Sequence, residues 1–125
     1  WISFQYTECR AELEQFFEDT GIRIHHWQEA IDDLEEHAAL AAAVDHRVSV
    51  CTTFAHLCGA LGKSVWILAP HVPEWRYGME GTTMAWYPSA RIYRQARPRQ
   101  WNEAIERLGA DLHEFVKHHS AAAIP

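Results

Sequence analysis

Residues 44–70, VDHRVSVCTTFAHLCGALGKSVWILAP, decide how this chain folds. Val48-Ser49-Val50 brings β-branched residues to a strand end, and Cys51-Thr52-Thr53 marks an abrupt turn. Apolar residues then recur at Phe54, Leu57, Cys58 and Leu61, the spacing of one helix face. Gly62 stands where a helix takes a left-handed residue in order to stop. Val65-Trp66-Ile67-Leu68, just before Pro70, is a short apolar run of the kind that forms a strand buried on both faces of a parallel sheet. Strand, helix and strand in that order make a βαβ unit.

Such a unit also locates a binding site. Ligands of open α/β sheets sit beyond the carboxyl ends of the strands, where the helices begin. The free N–H groups and the positive dipole end found there suit a phosphate. Thr52 and Thr53 add hydroxyl donors at that corner. The competing reading is that one of them simply caps the helix.

The flanks extend the same alternation. Residues 1–6 read as a strand, with Trp1, Ser3 and Gln5 alternating with Ile2, Phe4 and Tyr6. Residues 8–20 read as a helix with a Leu13, Phe16, Phe17 stripe, closed by Gly21. A short strand over 22–25 leads to a polar loop over 26–33 that contains Trp27. An Ala-rich helix follows over 34–44, acidic at its start as the dipole prefers. Beyond the central unit, residues 70–88 form a long loop with three prolines and several aromatics; a loop of that length is functional or mobile. A last strand is expected over 90–94. Pro98 opens a helix over 99–117 with Trp101, Ile105, Leu108, Leu112 and Phe115 or Val116 on one side. The chain is read as α/β with a mostly parallel sheet. One domain is expected over residues 1–119, followed by a frayed tail over 120–125.

Composition narrows the function classes. Hydrophobic residues make up 48% of 125, including 6 Trp, which calls for a packed globule rather than a disordered chain. Lys and Arg number 11 against 17 Asp and Glu, for a net charge of −6. No domain-wide basic field exists, so nucleic acid is not the default partner. Arg91, Arg94, Arg97 and Arg99 form the one basic cluster, read as a solvated edge. The 3 cysteines, Cys9, Cys51 and Cys58, are irregularly spaced, and free thiols in a reducing cytoplasm are the simplest reading. Among the 9 histidines, His25/His26 and His118/His119 are adjacent pairs whose side chains diverge, so no metal site is expected. No apolar run approaches a membrane span. The chain opens on Trp1-Ile2 without a leader or a Met, which predicts an excised piece of something longer.

SVCTTFAHLCGALGKSVWILAPHVPEWRY (residues 49–77) followed by MAWYPSARIYRQ (84–95) resembles a known family. This is the C-terminal part of bacterial tetratricopeptide-repeat proteins that carry a glycosyltransferase-like domain. They are relatives of the lipopolysaccharide heptosyltransferases and, more distantly, of the protein O-GlcNAc transferases. The likeness rests on Ala55-His56-Leu57 with Gly59-Ala60-Leu61-Gly62, on Pro73-Glu74-Trp75-Arg76, and on Trp86-Tyr87-Pro88-Ser89 with Arg94-Gln95. It runs over nearly the whole chain, although no tetratricopeptide unit lies in this piece.

The resemblance implies a Rossmann-like sheet, the C-terminal half of a GT-B fold lacking its first βα unit. The missing strand would be central, leaving unpaired edges that another chain could complete. The implied substrate is a nucleotide diphosphate-sugar, with no other cofactor and no metal. The implied partners are the absent N-terminal half or repeats of the parent chain, or a second copy joined through strand edges. Hexosyl or heptosyl transfer would belong to that intact parent, not to this piece alone.

The same resemblance assigns residues. Cys51, Thr52 and Thr53 fall on the family's diphosphate-binding turn, and His56 on a histidine able to donate to a phosphate oxygen. The helical wheel turns His56 away from the Phe54/Leu57/Leu61 stripe, so a solvated surface histidine is the competing reading. Cys51 stands where the wider family often has Asp. A thiol is no substitute for a carboxylate acceptor, so no catalytic residue is assigned. A Cys51 thiol enzyme is a further reading, since a helix N-terminus lowers a thiol pKa. Trp75 offers a stacking face for a base or sugar and Arg76 a bidentate grip on phosphate. Against this, Trp75 can anchor its loop and Arg76 can pair with an acid, while Trp86-Tyr87-Pro88 packs the same loop down. By analogy with the relatives, His26 and Trp27 would lie beside the base. The leading reading is a donor-binding half of a glycosyltransferase-like protein. The alternative is a non-catalytic interaction module that retains a degenerate fold.

Overall fold

The computed structural model describes residues 1–122. It divides into two compact units, Trp1–Val44 and the chain from Asp45 onward, both within what the sequence reading takes as one domain.

The first unit contains α1 (Arg10–Thr20), α2 (Gln28–Asp32) and α3 (Leu34–Ala43). The expected strands over 1–6 and 22–25 reduce to a single parallel bridge, Ile2 with His25. Ser3 N–H donates to His25 O (2.8 Å) and His25 N–H to Trp1 O (2.9 Å), and the ladder stops there. A polar side chain then competes for the backbone, Gln5 N–H turning to Ser3 Oγ (3.3 Å), while Gln5 Nε2 donates to the Thr7 side chain at Oγ1 (2.7 Å). α1 ends as expected on Gly21, left-handed at φ 71°, whose N–H returns to Phe17 O. Its Leu13/Phe16/Phe17 stripe is not a buried one, since no α1 residue is buried; the Arg23 guanidinium lies 4.2 Å from the Phe17 ring centre. The expected polar loop over 26–33 instead holds α2, closed by Gln28 Nε2 donating to Asp32 Oδ1 at 2.8 Å. Asp33 then caps α3, its Oδ1 accepting from Glu35 N–H (2.9 Å) and Glu36 N–H (3.0 Å).

The second unit is an α/β fold with a three-stranded parallel sheet in the order β1 (Val48–Val50), β2 (Val65–Ala69), β3 (Ala90–Arg94). α4 (Thr53–Ala60) joins β1 to β2, so the βαβ reading of residues 44–70 holds. α4 stops through two backbone bonds at its end: Lys63 N–H to Cys58 O (2.9 Å) and Gly62 N–H to Gly59 O (3.0 Å), with Gly62 at φ 66°. α5 (Asn102–Ala122) packs on β2 and β3.

β2 is central and alternates. Val65, Ile67 and Ala69 are fully buried on the α4 face, while Trp66 and Leu68 are half-buried and pack with Tyr93, Ala104 and Leu108 under α5. The strand is therefore covered on both faces, as a parallel strand requires.

α5 begins later than the sequence predicts. Pro98 does not open it; Pro98 and Arg99 (φ 65°) occupy the middle of a turn closed by Gln100 N–H to Arg97 O at 3.1 Å. α5 presents Ala104 and Leu108 to the sheet, while Ile105 and Val116 on the predicted stripe are exposed. The helix continues to Ala122; the rest of the tail read as frayed lies outside the described residues.

Near the end of α5 an aromatic cluster closes the unit. The His46 ring lies 4.1 Å from Trp66 and 4.6 Å from Phe115, and Phe115 stacks on His119 at 3.8 Å between ring centres. His46 Nε2 is buried without a hydrogen-bond partner. Burial above all, then the nearby Arg47 and His119 charges, hold the imidazole below its ordinary 6.5. The unfolded chain takes up this proton near 6.5 while the folded chain resists it. This contribution to stability is therefore whole above about pH 6.5 and is lost as pH falls below it. Urea midpoints compared at pH 8 and pH 5 are expected to fall further in the native chain than in His46→Gln, and equal falls would remove His46 as the cause.

Candidate functional site

The carboxyl ends of the three parallel strands lie along one end of the sheet, and α4 begins there directly after β1. Val50 leads into Cys51 and Thr52, whose N–H bends back to Val50 O at 2.8 Å. Thr52 occupies the cap position of α4 yet makes no side-chain cap bond; its Oγ1 lies 3.2 Å from Ser49 Oγ instead. Thr53 is the first helical residue and is exposed. The capping reading of Thr52 is thus not realised, and the helix N-terminus is left without a side-chain acceptor from its cap.

The long loop from Pro70 to Ser89 lies at these strand ends and is fixed from below by Arg94. That guanidinium, at the end of β3, donates to the carbonyls of Tyr77, Gly78 (2.9 Å), Glu80 (3.1 Å) and Gly81 (2.7 Å). A planar fork with several fixed donors can hold a ring of backbone carbonyls in this way, and a flexible ammonium cannot. The loop also pairs Thr83 with Arg91 along the outer edge of β3 and sends Thr82 O to Ile92 N–H at 2.8 Å. Pro73, Tyr77 and Met84 are buried. The Tyr87 ring lies directly over Gly59 on α4, where a Cβ would stand 2.3 Å from the ring.

Under the loop runs a polar chain. Tyr77, almost fully buried, sets its hydroxyl 3.1 Å from His56 Nε2, and the His56 ring sits between Tyr77 (5.6 Å) and Tyr87 (5.7 Å). His56 is therefore half-buried beneath the loop, not a solvated surface histidine. The Tyr77 hydroxyl also meets Cys51, whose Sγ lies 3.8 Å from Leu68 O. Burial, with Cys51 and Glu74 beside it, pushes the Tyr77 hydroxyl up to about 12. Burial and then Glu74 likewise push the Cys51 thiol up, outweighing the Tyr77 hydrogen bond and the Arg94 charge. A thiol raised in this way is protonated at neutral pH, which counts against the thiol-enzyme reading.

Arg76 and Trp75 lie on a single turn of 3-10 helix, Trp75–Tyr77. Arg76 pairs with the Glu74 carboxylate, as its competing reading expects, and its Nε–H is buried without an acceptor. Trp75 does not anchor the loop: it is 72% exposed. Trp86, expected to pack down, is also exposed, while its neighbour Tyr87 does the packing. His26 and Trp27 belong to the first unit. There, His26 Nδ1 lies 3.8 Å from Cys9 Sγ and Nε2 3.0 Å from Gln28 Oε1, while Trp27 stacks on His25 at 5.7 Å. Cys51, Thr52, Thr53, His56, Trp75 and Arg76 all fall at or beside the strand-end corner of the second unit.

Over 120 residues the chain is 32% identical to Protein FlbA of Caulobacter vibrioides. That alignment takes in 93% of this chain and 20% of the relative, so the chain spans about a fifth of the length of the curated protein it matches. No protein-family profile matches the chain, and no solved structure matches it. Among the described residues no helix is long and apolar enough to cross a membrane.

Sequence reasoning missed Arg94 and Tyr77. Arg94 sits in the cluster read as a solvated edge, a reading that suits the exposed Arg97 and Arg99. The available signal was its position as the last residue of a strand, at the end where α/β sheets hold their sites. Arg94→Lys is expected to destabilise the unit by about 1–3 kcal/mol, because the partly buried Tyr77 carbonyl and three exposed carbonyls lose charge-assisted bonds that an ammonium cannot make together. Limited proteolysis within residues 77–83 should then quicken at a temperature where the native chain resists. Unchanged cleavage would show that the other anchors hold the loop.

Proposed function

We propose that this chain is the donor-binding part of a glycosyltransferase-like protein, a Rossmann-like half of a GT-B fold that takes a nucleotide diphosphate-sugar. The observation that carries the reading is the α4 N-terminus, left uncapped by a side chain at the carboxyl end of β1, with Trp75 and Arg76 on the adjoining loop. Backbone N–H groups there, with the Thr52 and Thr53 hydroxyls, suit the diphosphate. Arg76 leaves Glu74 for a phosphate oxygen. His56, held at Nε2 by Tyr77, offers Nδ1. The protonated Cys51 sets no negative charge against the diphosphate, but it cannot do the work of a carboxylate.

Binding is thus retained and catalysis is not assigned. In the parent chain, transfer of the sugar would stabilise the leaving diphosphate through these donors and bring the acceptor from the remaining segments. The likeness to one stretch of a longer bacterial protein is compatible with this division of labour.

A second reading, a non-catalytic interaction module, is favoured by one observation: Val72, Trp75, Met79 and Trp86 stand exposed on the same loop. Nucleotide binding separates the two. Calorimetric titration with UDP, ADP and GDP is expected to show one nucleotide bound. Arg76→Ala should weaken it about tenfold or more, as loss of a charge-assisted contact does, and Thr53→Ala should weaken it less. Neither variant should move the melting temperature appreciably. A folded chain that binds none of the three would leave the interaction module.

A further inference from the structure

Between β3 and α5 the second unit holds a cleft of about 260 Å³. Arg107, Ala110 and Asp111 line it from α5, brought to one helix face by their three- and four-residue spacing. Arg91, Ile92 and Tyr93 line it from β3, and Thr82 lines it from the loop beside that strand. None of these residues belongs to the strand-end corner.

The charges in the cleft do not cancel. Arg91 Nη2 lies 2.8 Å from Asp111 Oδ2, which also accepts from the Tyr93 hydroxyl at 2.8 Å. That carboxylate is therefore matched by one guanidinium. Arg107 is held differently. Its Nη2 donates to a neutral carbonyl, Arg94 O, at 3.0 Å, and the Glu103 carboxylate stands 3.9 Å from its Nε, beyond hydrogen-bond reach. A guanidinium carries five N–H donors, and most of those on Arg107 meet no acceptor among the described residues. The Arg91 guanidinium lies over the Tyr93 ring, 5.0 Å from its centre. Both cations are thus positioned before any ligand arrives, which lowers the ordering cost of binding. Two cations, Arg91 and Arg107, against the one anion Asp111 leave the lining a net charge of +1.

A ligand for this cleft carries one negative charge and an apolar body. A carboxylate brings the single charge and two coplanar oxygens that match a guanidinium fork. A phosphate monoester carries about −1.5 to −2 near neutral pH, and its second charge would oppose Asp111 and Glu103. Ile92 and Ala110 supply apolar lining. The space equals about nine water molecules at ~30 Å³ each, which admits a small acid and excludes a nucleotide.

We propose that the β3–α5 cleft binds a small organic monocarboxylate, its carboxylate taken by Arg107 with Arg91 beside it and its apolar body lying along Ile92 and Ala110. The site uses no residue of the donor-site reading and stands apart from it.

The test is titration of the 125-residue chain with benzoate, benzyl alcohol and phenyl phosphate, followed through the backbone amide NMR shifts. Benzoate is expected to bind and to move the amides of residues 91–93 and 107–111. Benzyl alcohol has the shape without the charge and should bind about tenfold more weakly or worse; phenyl phosphate should also bind more weakly than benzoate. Arg107→Gln should weaken benzoate about tenfold or more with a level melting temperature, since the side chain is exposed. Arg107→Lys keeps the charge without the fork and should retain part of the affinity. Asp111→Asn still offers Tyr93 an amide oxygen but raises the charge of the lining to +2, and should reverse the preference between benzoate and phenyl phosphate. Absent benzoate binding, or equal binding in Arg107→Gln, would overturn the proposal. So would phenyl phosphate binding more tightly than benzoate to the native chain, or benzoate shifts centred on residues 51–56 at the strand-end corner. Each of these outcomes is read without regard to whether a nucleotide binds.

Discussion

The second unit depends on one guanidinium. A twenty-residue connection between two adjacent parallel strands has no α-helix to fix its backbone internally, so its conformation must be held from outside the loop. Arg94 does so from the end of β3, taking four carbonyls within five residues. The loop also covers part of the outer edge of β3, where the Thr83–Arg91 bridge and the Thr82–Ile92 bond stand in for a further strand. One strand residue thereby positions Tyr77 over the polar chain and Trp75 in solvent.

That anchoring explains why the corner beneath the loop is neutral and structured. Tyr77 needs a partner for a buried hydroxyl and finds His56 on α4. Tyr87 needs a flat surface and finds Gly59, one turn further along the same helix face. His56 and Gly59 are thus used as a pair, one for a hydrogen bond and one for the absence of a Cβ. Both lie on the side of α4 turned from the Phe54/Cys58 stripe, so α4 is covered on two sides by different means: sheet on one, loop on the other.

The parts of this fold that were legible in the sequence are those set by local pattern. β1, the Cys51–Thr53 turn, β2 and β3 follow from short apolar runs, and the stops of α1 and α4 follow from Gly21 and Gly62 at positive φ. The strand-end location of the candidate site followed from the βαβ order alone. Other features were set by contacts distant in sequence. Whether residues 1–6 form a strand depended on a partner ladder that runs to one bridge. The start of α2 depended on Gln28 reaching Asp32. The partners of His56 and Arg94 lie 21 and 13–17 residues away, and no periodicity announces them. Trp86 and Tyr87 are adjacent and similar in character, yet one is exposed and the other seated on Gly59; that distinction arises only when the loop is closed.

The charge arrangement bears on how a chain of net charge −6 could hold a diphosphate. Arg94 donates to backbone carbonyls and keeps its positive charge, which acts on the Cys51 thiol at the strand-end corner. Arg76 is paired with Glu74, but both side chains are well exposed, at 36% and 56%. An ion pair so placed contributes about 0–1 kcal/mol, so Glu74 holds Arg76 only weakly. On the proposed reading a phosphate competes with Glu74 for Arg76, whose Nε–H is buried without an acceptor although the side chain as a whole is only half-buried.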